Sequence, residues 1–423
     1  MYLALISLIL GTPCEVVELS ASFDASARSV AGTVSCSGPQ EHAELDLALY
    51  PTVLERPVGV DDVNRPWVYP HGFDPGGIEI DGEAQHAIWT RAPGPVRFST
   101  RIPERVGALG THNGTTYAVA GWHPMIGEQG SARIPSRRIR YHLSVPPRFD
   151  AWIAGTYSPA GAPRTLKGEH FGRTVPVVLA PRLSAHPTAA GLYIVPEGRI
   201  YSRRPAEPNW NLREIDRARD PFALEQLREA LSIGRAFAKR HRYPVQAPLT
   251  IIQAPLRERF VAPFDGGFLL SDRAFHLFDA SLIIGFHQLS LWRAQLAAYA
   301  WRSSVERESA LPPWLVADAL GATLRDALKR ERFGDKENAD ELLDRFAVIP
   351  EIDALVFAPQ IPLVDALYEA KNEEPVARNH PDDFFHTRPR GKLLFEKLVD
   401  RLGVEALHAA ASRYATERQT WTE

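Results

Sequence analysis

Cysteine and methionine are almost absent from this chain, with two of each in 423 residues. Two cysteines exclude a disulfide framework and a cysteine-rich zinc module. Lysine is nearly as scarce, 7 of the 48 basic residues, and the other 41 are arginine. We read that as coding-composition bias. An excess of positive charge is lacking too: the formal net charge is −3 and the pI about 6.6. That balance argues against nucleic-acid binding through a basic face. No uninterrupted apolar run reaches the ~20 residues that span a bilayer. Met1–Leu10 is too short, and Ser281–Trp301 is broken by His287, Gln288, Arg293 and Gln295. The second stretch reads as a buried amphipathic helix, so no integral membrane span is expected. There is no G-x-S-x-G elbow, P-loop or dinucleotide fingerprint. Neither cysteine has a neighbouring His/Asn context that would make it a nucleophile.

What is present is globular. Apolar residues make up 45% and charged residues 23% of the chain, near the average of folded domains. The length suggests two or three domains, and 35 prolines stiffen many loops and strand ends. Met1–Leu10, followed by GTPC, reads as the core of a short signal peptide, although no basic residue precedes it. The alternatives are a first strand or a misplaced start. Export to the periplasm or cell envelope is therefore an expectation, with the cytoplasm as its alternative.

From Glu15 to about Pro196 the pattern is β. Val17, Leu19, Ala21 and Phe23 alternate with polar residues, a turn follows at Asp24–Arg28, and Val30, Gly32, Val34 and Cys36 alternate again. That is a hairpin signature. Its register brings Cys14 near Cys36, where an oxidised pair and two free buried thiols both remain open. Leu45, Leu47 and Leu49 form a third strand, and Ile139, Tyr141, Leu143 and Val145 a later one. Gly and Pro punctuation between short strands suggests a sandwich-like all-β domain.

After Pro196 the character changes. Pro221–His241 has helical spacing, Leu249–Gln253 is strand-like, and the segment from there to Ser271 reads as irregular. Helices are expected at Ala280–Trp301, Pro313–Arg330, Ala339–Phe346, Leu363–Lys371 and Gly391–Thr416. The fold class is α+β multidomain. Residues 1–14 are a possible leader or first strand, 15–195 an N-terminal β domain, and 196–423 a mainly helical α+β domain.

Several stretches occur in an order that resembles the aminopeptidase N family of zinc metallopeptidases, the gluzincins, over nearly the whole chain. Leu49-Tyr50-Pro51 is similar to the family's leucine-tyrosine-proline strand end. Phe98-Ser-Thr-Arg-Ile-Pro103 with Gly121-Trp122-His123-Pro124 is similar to its F-x-T-x-x-P and Q-W-Y-P elements. Phe237–Pro244 resembles its F-G-x-Y-P-Y stretch, and Gly391–Tyr414 its two closing helices. The resemblance implies an N-terminal sandwich or saddle domain followed by a thermolysin-like domain.

It also implies a catalytic pattern, which this sequence does not carry. The family's H-E-x-x-H helix holds zinc between two imidazoles one turn apart, with the Glu as general base. The corresponding run is His287-Gln288-Leu289-Ser290-Leu291. Gln288 is an amide that cannot take a proton from water at neutral pH. Leu291 has no lone pair to offer. The third-ligand position, in W-L-x-E-G, falls on Ala317. Asp318 is one residue off, ~100° away around a helix. The amine-anchoring Glu of G-x-M-E-N falls on Pro263, with Asp265 as a displaced substitute, and the transition-state tyrosine on Arg388.

The resemblance with these losses implies a peptidase scaffold without peptidase chemistry, and no catalytic residue, metal or cofactor is expected. A peptide or protein partner would bind in or near the old active-site cleft. The alternative is an active metallohydrolase with a displaced zinc site, built from His287 with Asp318, Glu306 or Glu308. A core histidine is the simpler account of His287, and packing the simpler account of Trp292 and Trp301. Asn379–His386, with His380, Asp382, Asp383 and His386, reads as a solvated loop before a metal site. Arg133–His142 reads as a solvated strand edge, and Asp335–Asp344 as the start of a surface helix.

Overall fold

Period-two alternation of apolar and polar residues organises much of the described structure. The computed structural model describes residues 14–37, 44–53, 72–105, 107–127, 134, 136–161, 164–188, 191–196, 249–254, 256, 261–264 and 266–271, with isolated positions at 232–242 and 401–413. Among these residues the strands are, in chain order, β1 (Val16–Asp24), β2 (Ser29–Cys36), β3 (Glu44–Ala48), β4 (Gly77–Ile80), β5 (Glu83–Gln85), β6 (Trp89–Pro93) and β7 (Val96–Arg101). There follow β8 (Leu109–His112), β9 (Thr115–Ala118), β10 (Met125–Ile126), β11 (Arg137–Val145), β12 (Asp150–Ile153), β13 (Thr156–Ser158), β14 (Arg164–Gly172) and β15 (Val177–Ala180). The last five are β16 (Leu183–Thr188), β17 (Gly191–Pro196), β18 (Leu249–Ala254), β19 (Val261–Phe264) and β20 (Gly267–Ser271).

The β1–β2 hairpin forms as its pattern predicts, with Leu19 opposite Val34 and Val17 opposite Cys36. The Asp24 carboxylate accepts the backbone N–H groups of Ser26 and Ala27 and the Ser26 hydroxyl. These bonds, led by the one from the Ser26 side chain, hold its pKa below the usual carboxylate range. At the open end Cys14 and Cys36 form a disulfide, which decides between the two states left open by the sequence.

Among the described residues four sheets result, with seven, three, five and five strands. The seven-stranded sheet runs β14-β11-β1-β2-β7-β4-β5, and β3 lies between β10 and β6 in the small one. A central sheet runs β13-β12-β15-β9-β8, and its strands β12, β15 and β9 are buried on both faces. Ala118, Ile153, Val177 and Leu179 share a core with Val34, Leu47, Phe98 and Leu143 of the first two sheets. Tyr117, Trp152, Val178 and Ala180 enter a second core with Ile194, Ile252, Phe264 and Leu269. This is the sandwich expected of the N-terminal half, with a further layer on its inner side.

That layer is the fourth sheet, β16-β17-β18-β20-β19, in which β17, β18 and β20 are parallel. It joins residues from both sides of the boundary expected at position 195. The Asp150 carboxylate ties it to the central sheet by accepting the Leu183 N–H, the Ala160 N–H and the Tyr157 hydroxyl. Replacing Asp150 with Ala strands those donors and should destabilise the protein by about 2 kcal/mol, measured by urea unfolding at neutral pH. An unchanged midpoint would show that the tie is dispensable.

Three expectations change. Arg133–His142 is not an edge: β11 lies between β1 and β14, and Arg138 and Arg140 reach Glu169 and Glu18 on those neighbours. The segment up to Ser271 is not irregular, because it folds into the β19–β20 hairpin. Near the C-terminus, positions 401–402 and 405–407 are helical, but Gly403 between them has φ +77°. A left-handed residue ends one helix and starts another there, as the two closing helices of the resemblance imply and one continuous Gly391–Thr416 helix does not. Positions 232, 236, 239 and 240 are helical, in keeping with the Pro221–His241 pattern. Met1–Leu10 and the four other expected helices lie outside the described residues.

Candidate functional site

Of the site positions read from the sequence, the structure describes Pro263, on the fourth sheet. Strand β18 is buried throughout, as a parallel interior strand requires. Its run Leu249-Thr-Ile-Ile-Gln-Ala carries Gln253 near the C-terminal end of the strand. Gln253 is 4% exposed. Its side-chain carbonyl accepts the Tyr193 hydroxyl at 3.0 Å, and its backbone carbonyl accepts the Tyr117 hydroxyl at 3.4 Å. A polar knot thus fixes the strand end between two layers, satisfying groups that would otherwise be buried without partners. Neither tyrosine nor Gln253 stood out in the sequence, because each lies in an apolar run that reads as packing.

Among the described residues strand β19 is one edge of this sheet, with β16 at the other. It pairs antiparallel with β20, placing Val261 opposite Leu270 and Pro263 opposite Phe268. Phe264 and Gly267 face each other across a two-residue loop, and Gly266 has φ +89°. The dipeptide Asp265-Gly266 is the sequence signal for such a turn. Pro263, the residue at the expected amine-anchor position, therefore sits on an edge strand, where a missing backbone N–H is tolerated.

Trp122 and His123, in the Gly121–Pro124 stretch read from the sequence, are both buried. The Trp122 indole N–H donates to the Val175 carbonyl at 2.6 Å, and the ring packs against Phe23 and the edge of His123. His123 is 1% exposed. Its Nδ1 lies 2.9 Å from the Pro124 carbonyl, so Nδ1 carries the proton. Nε2 then accepts from the Val175 N–H at 3.3 Å and the Thr174 hydroxyl at 3.2 Å. Burial lowers its pKa to about 4, against the opposing effect of the Pro124 bond, and His170 lowers it further. This is a neutral structural histidine.

Of the other site positions read from the sequence, His287, Gln288, Leu291, Ala317, Asp318, Glu306, Glu308 and Arg388 lie outside the described residues. So do Asp265, His380 and His386. Among the described residues no group of three or more His, Cys, Asp or Glu side chains could hold a metal ion. No helix among them is long and apolar enough to cross a membrane.

No protein-family profile matches the sequence, and no curated protein sequence does. Solved structures do resemble it. Yeast leukotriene A4 hydrolase bound to bestatin superposes with a TM-score of 0.51 at 10% identity, covering 96% of this chain and 61% of the hydrolase. The native yeast enzyme gives 0.49 at 12% identity, covering 96% and 62%. A zinc metallopeptidase of the M1 class from Deinococcus radiodurans, bound to a Tyr-Ser-Ala substrate, gives 0.43 at 12% identity, covering 97% and 88%. The chain has the fold of the yeast hydrolase. It spans about three-fifths of that enzyme's length. The fold agrees with the gluzincin resemblance read from the motifs, and at this identity the likeness reaches no further than the fold.

Proposed function

We propose that this protein is a non-catalytic aminopeptidase-like protein that binds a peptide or protein partner in or near the cleft of its second domain. We take that domain to begin at β16, since β16 and β17 pair into the fourth sheet. The observation that carries the reading is the donor set at the positions matching the zinc motif: imidazole at 287, amide at 288, isobutyl at 291 and methyl at 317. A catalytic zinc needs three protein ligands and an open position for water. One imidazole does not fit that requirement, and Gln288 offers no base. The fold supports the scaffold half of the proposal. Strand β19 supports the binding half, because it is an edge of the fourth sheet among the described residues and a sheet edge accepts an extended peptide by strand addition. The Cys14–Cys36 disulfide favours an oxidising compartment, in line with export.

The test is the metal content of the purified full chain together with cleavage of aminoacyl fluorophores. The expected result is no stoichiometric zinc and no cleavage above the rate without protein. Stoichiometric zinc with chelator-sensitive cleavage would overturn the proposal in favour of a displaced site around His287. In parallel, His287→Ala should lower the melting temperature through lost packing and leave any residual rate unchanged.

A further inference from the structure

Among the described residues β14 is the longest edge strand. It closes one side of the seven-stranded sheet with nine residues, where β5 on the other side has three. It pairs with β11 along its whole length, from Arg164 opposite Val145 to Gly172 opposite Arg137, without a bulge. The other side of such a strand offers a row of N–H and C=O groups for pairing. Among the described residues, no backbone hydrogen bond from a turn or loop reaches positions 164–172. Thr165, Lys167, Gly168, Glu169 and Phe171 are all exposed. The exposure of Gly168 is that of its backbone, so the middle of the edge is open. A side chain there is excluded on the inner face, because the Tyr141 hydroxyl takes the space of a Cβ.

The order of side chains around Gly168 is self-complementary. Antiparallel pairing with a second copy, centred on Gly168, sets Thr165 opposite Phe171, Leu166 opposite His170 and Lys167 opposite Glu169. Two-fold symmetry repeats each contact, so two opposite-charge pairs flank the axis. A shift of the register by two residues one way sets Lys167 opposite Lys167, and the other way Glu169 opposite Glu169. Like charges directly opposite are destabilising, so charge selects the centred register. Within its own sheet Glu169 pairs with Arg138 and Arg140, and Arg140 with Glu18. Lys167 takes part in none of these pairs and lies opposite His142. The second copy supplies the carboxylate that this lysine lacks. Phe171, 44% exposed, is covered in the same step.

We propose that β14 is a homodimerisation edge, through which two copies join their seven-stranded sheets into one continuous sheet. The contact is isologous and closes on itself, so it makes a dimer and no fibre. A copy of the same strand is the occupant because the charge order of the edge is its own complement. This surface is distinct from β19, so the proposal does not depend on the reading of the cleft.

The experiment is sedimentation velocity of the full chain up to about 100 µM, where the wild type should show a reversible monomer–dimer equilibrium. K167E alone lines the seam with four carboxylates, and E169K alone with four cations. Each should weaken the dimer by at least about tenfold. An equimolar mixture of K167E and E169K should dimerise again, because every facing pair is then of opposite sign. A merely structural role for either residue does not predict that rescue. A wild type that stays monomeric, assembly beyond the dimer, single variants that associate like the wild type, or a folded mixture that stays monomeric would each overturn the proposal. E169K also breaks the pairs with Arg138 and Arg140, so circular dichroism checks its fold. If it does not fold, T165C and F171C chains are mixed and oxidised instead. The mixture should form an interchain disulfide that neither chain forms alone, and its absence would overturn the proposal equally.

Discussion

Acid should unfold this protein through His123 before its carboxylates are protonated. In the folded state the imidazole is neutral, with its proton on Nδ1 and its Nε2 accepting from the Val175 N–H and the Thr174 hydroxyl. A second proton would have to sit on Nε2, facing a backbone donor that cannot turn away. Burial accordingly holds the pKa at about 4, against about 6.5 in an unfolded chain. Between those two values the unfolded state binds the extra proton and the folded state does not. The stabilisation is therefore complete above about pH 6.5 and is lost as the pH falls towards 4. The loss amounts to about 3 kcal/mol across that window. Asp74 acts in the same direction at lower pH. Burial raises its pKa, but the N–H groups of Gly76 and Glu104 and the charges of Arg101 and Arg28 together bring it below the usual value. Urea unfolding at a series of pH values would measure the decline. The H123N variant isolates the histidine: it should be less stable at pH 7, yet show a flatter slope between pH 6.5 and 4. If the variant and the wild type decline in parallel, the acid sensitivity lies elsewhere.

Much of the β portion of this fold could be read from period-two patterning alone. β1, β2 and β11 alternate cleanly because one face of the seven-stranded sheet is wet. The central sheet was harder to read. β12 and β15 are buried on both faces, so Asp150-Ala-Trp-Ile and Val177-Val-Leu-Ala lack the alternation that marks a strand. The same cause concealed part of the fourth sheet. β20 is buried along Gly267–Leu270, and the only local signal for its hairpin was Asp265-Gly266. Arg133–His142 misled for a different reason. Exposed arginines alternating with buried residues describe any strand with one wet face, and only the pairing shows whether it is an edge or an interior strand. In the candidate site, the resemblance placed Pro263 in a segment that patterning read as irregular, and the structure puts it on an edge strand. The partners of Gln253 come from strands 60 and 136 residues away in sequence, a distance no local pattern spans.

The largest effect of a covalent change should come from opening the disulfide. Cys14 precedes β1 and Cys36 ends β2, so the bond closes the open end of a hairpin whose other end is already closed by the Asp24–Arg28 turn. It encloses a loop with a sequence separation of 22, for which chain entropy gives about 3 kcal/mol of stabilisation. Both residues are buried, Cys36 completely and Cys14 to 6% exposure. Two consequences follow from that burial. A reductant reaches the sulfurs only when the end of the hairpin opens, so reduction of the native protein should be slow and should speed up with mild denaturant. The free thiols, once formed, sit at apolar positions against the main core, so the reduced protein keeps its packing and loses only the constraint. A C14A/C36A double variant should therefore fold to the same β structure by circular dichroism, but melt several degrees lower than the oxidised wild type. Reduced wild type should melt close to the double variant. A variant that melts with the oxidised wild type would show that β1 is held by its pairing with β2 and β11 alone, with no contribution from the bond.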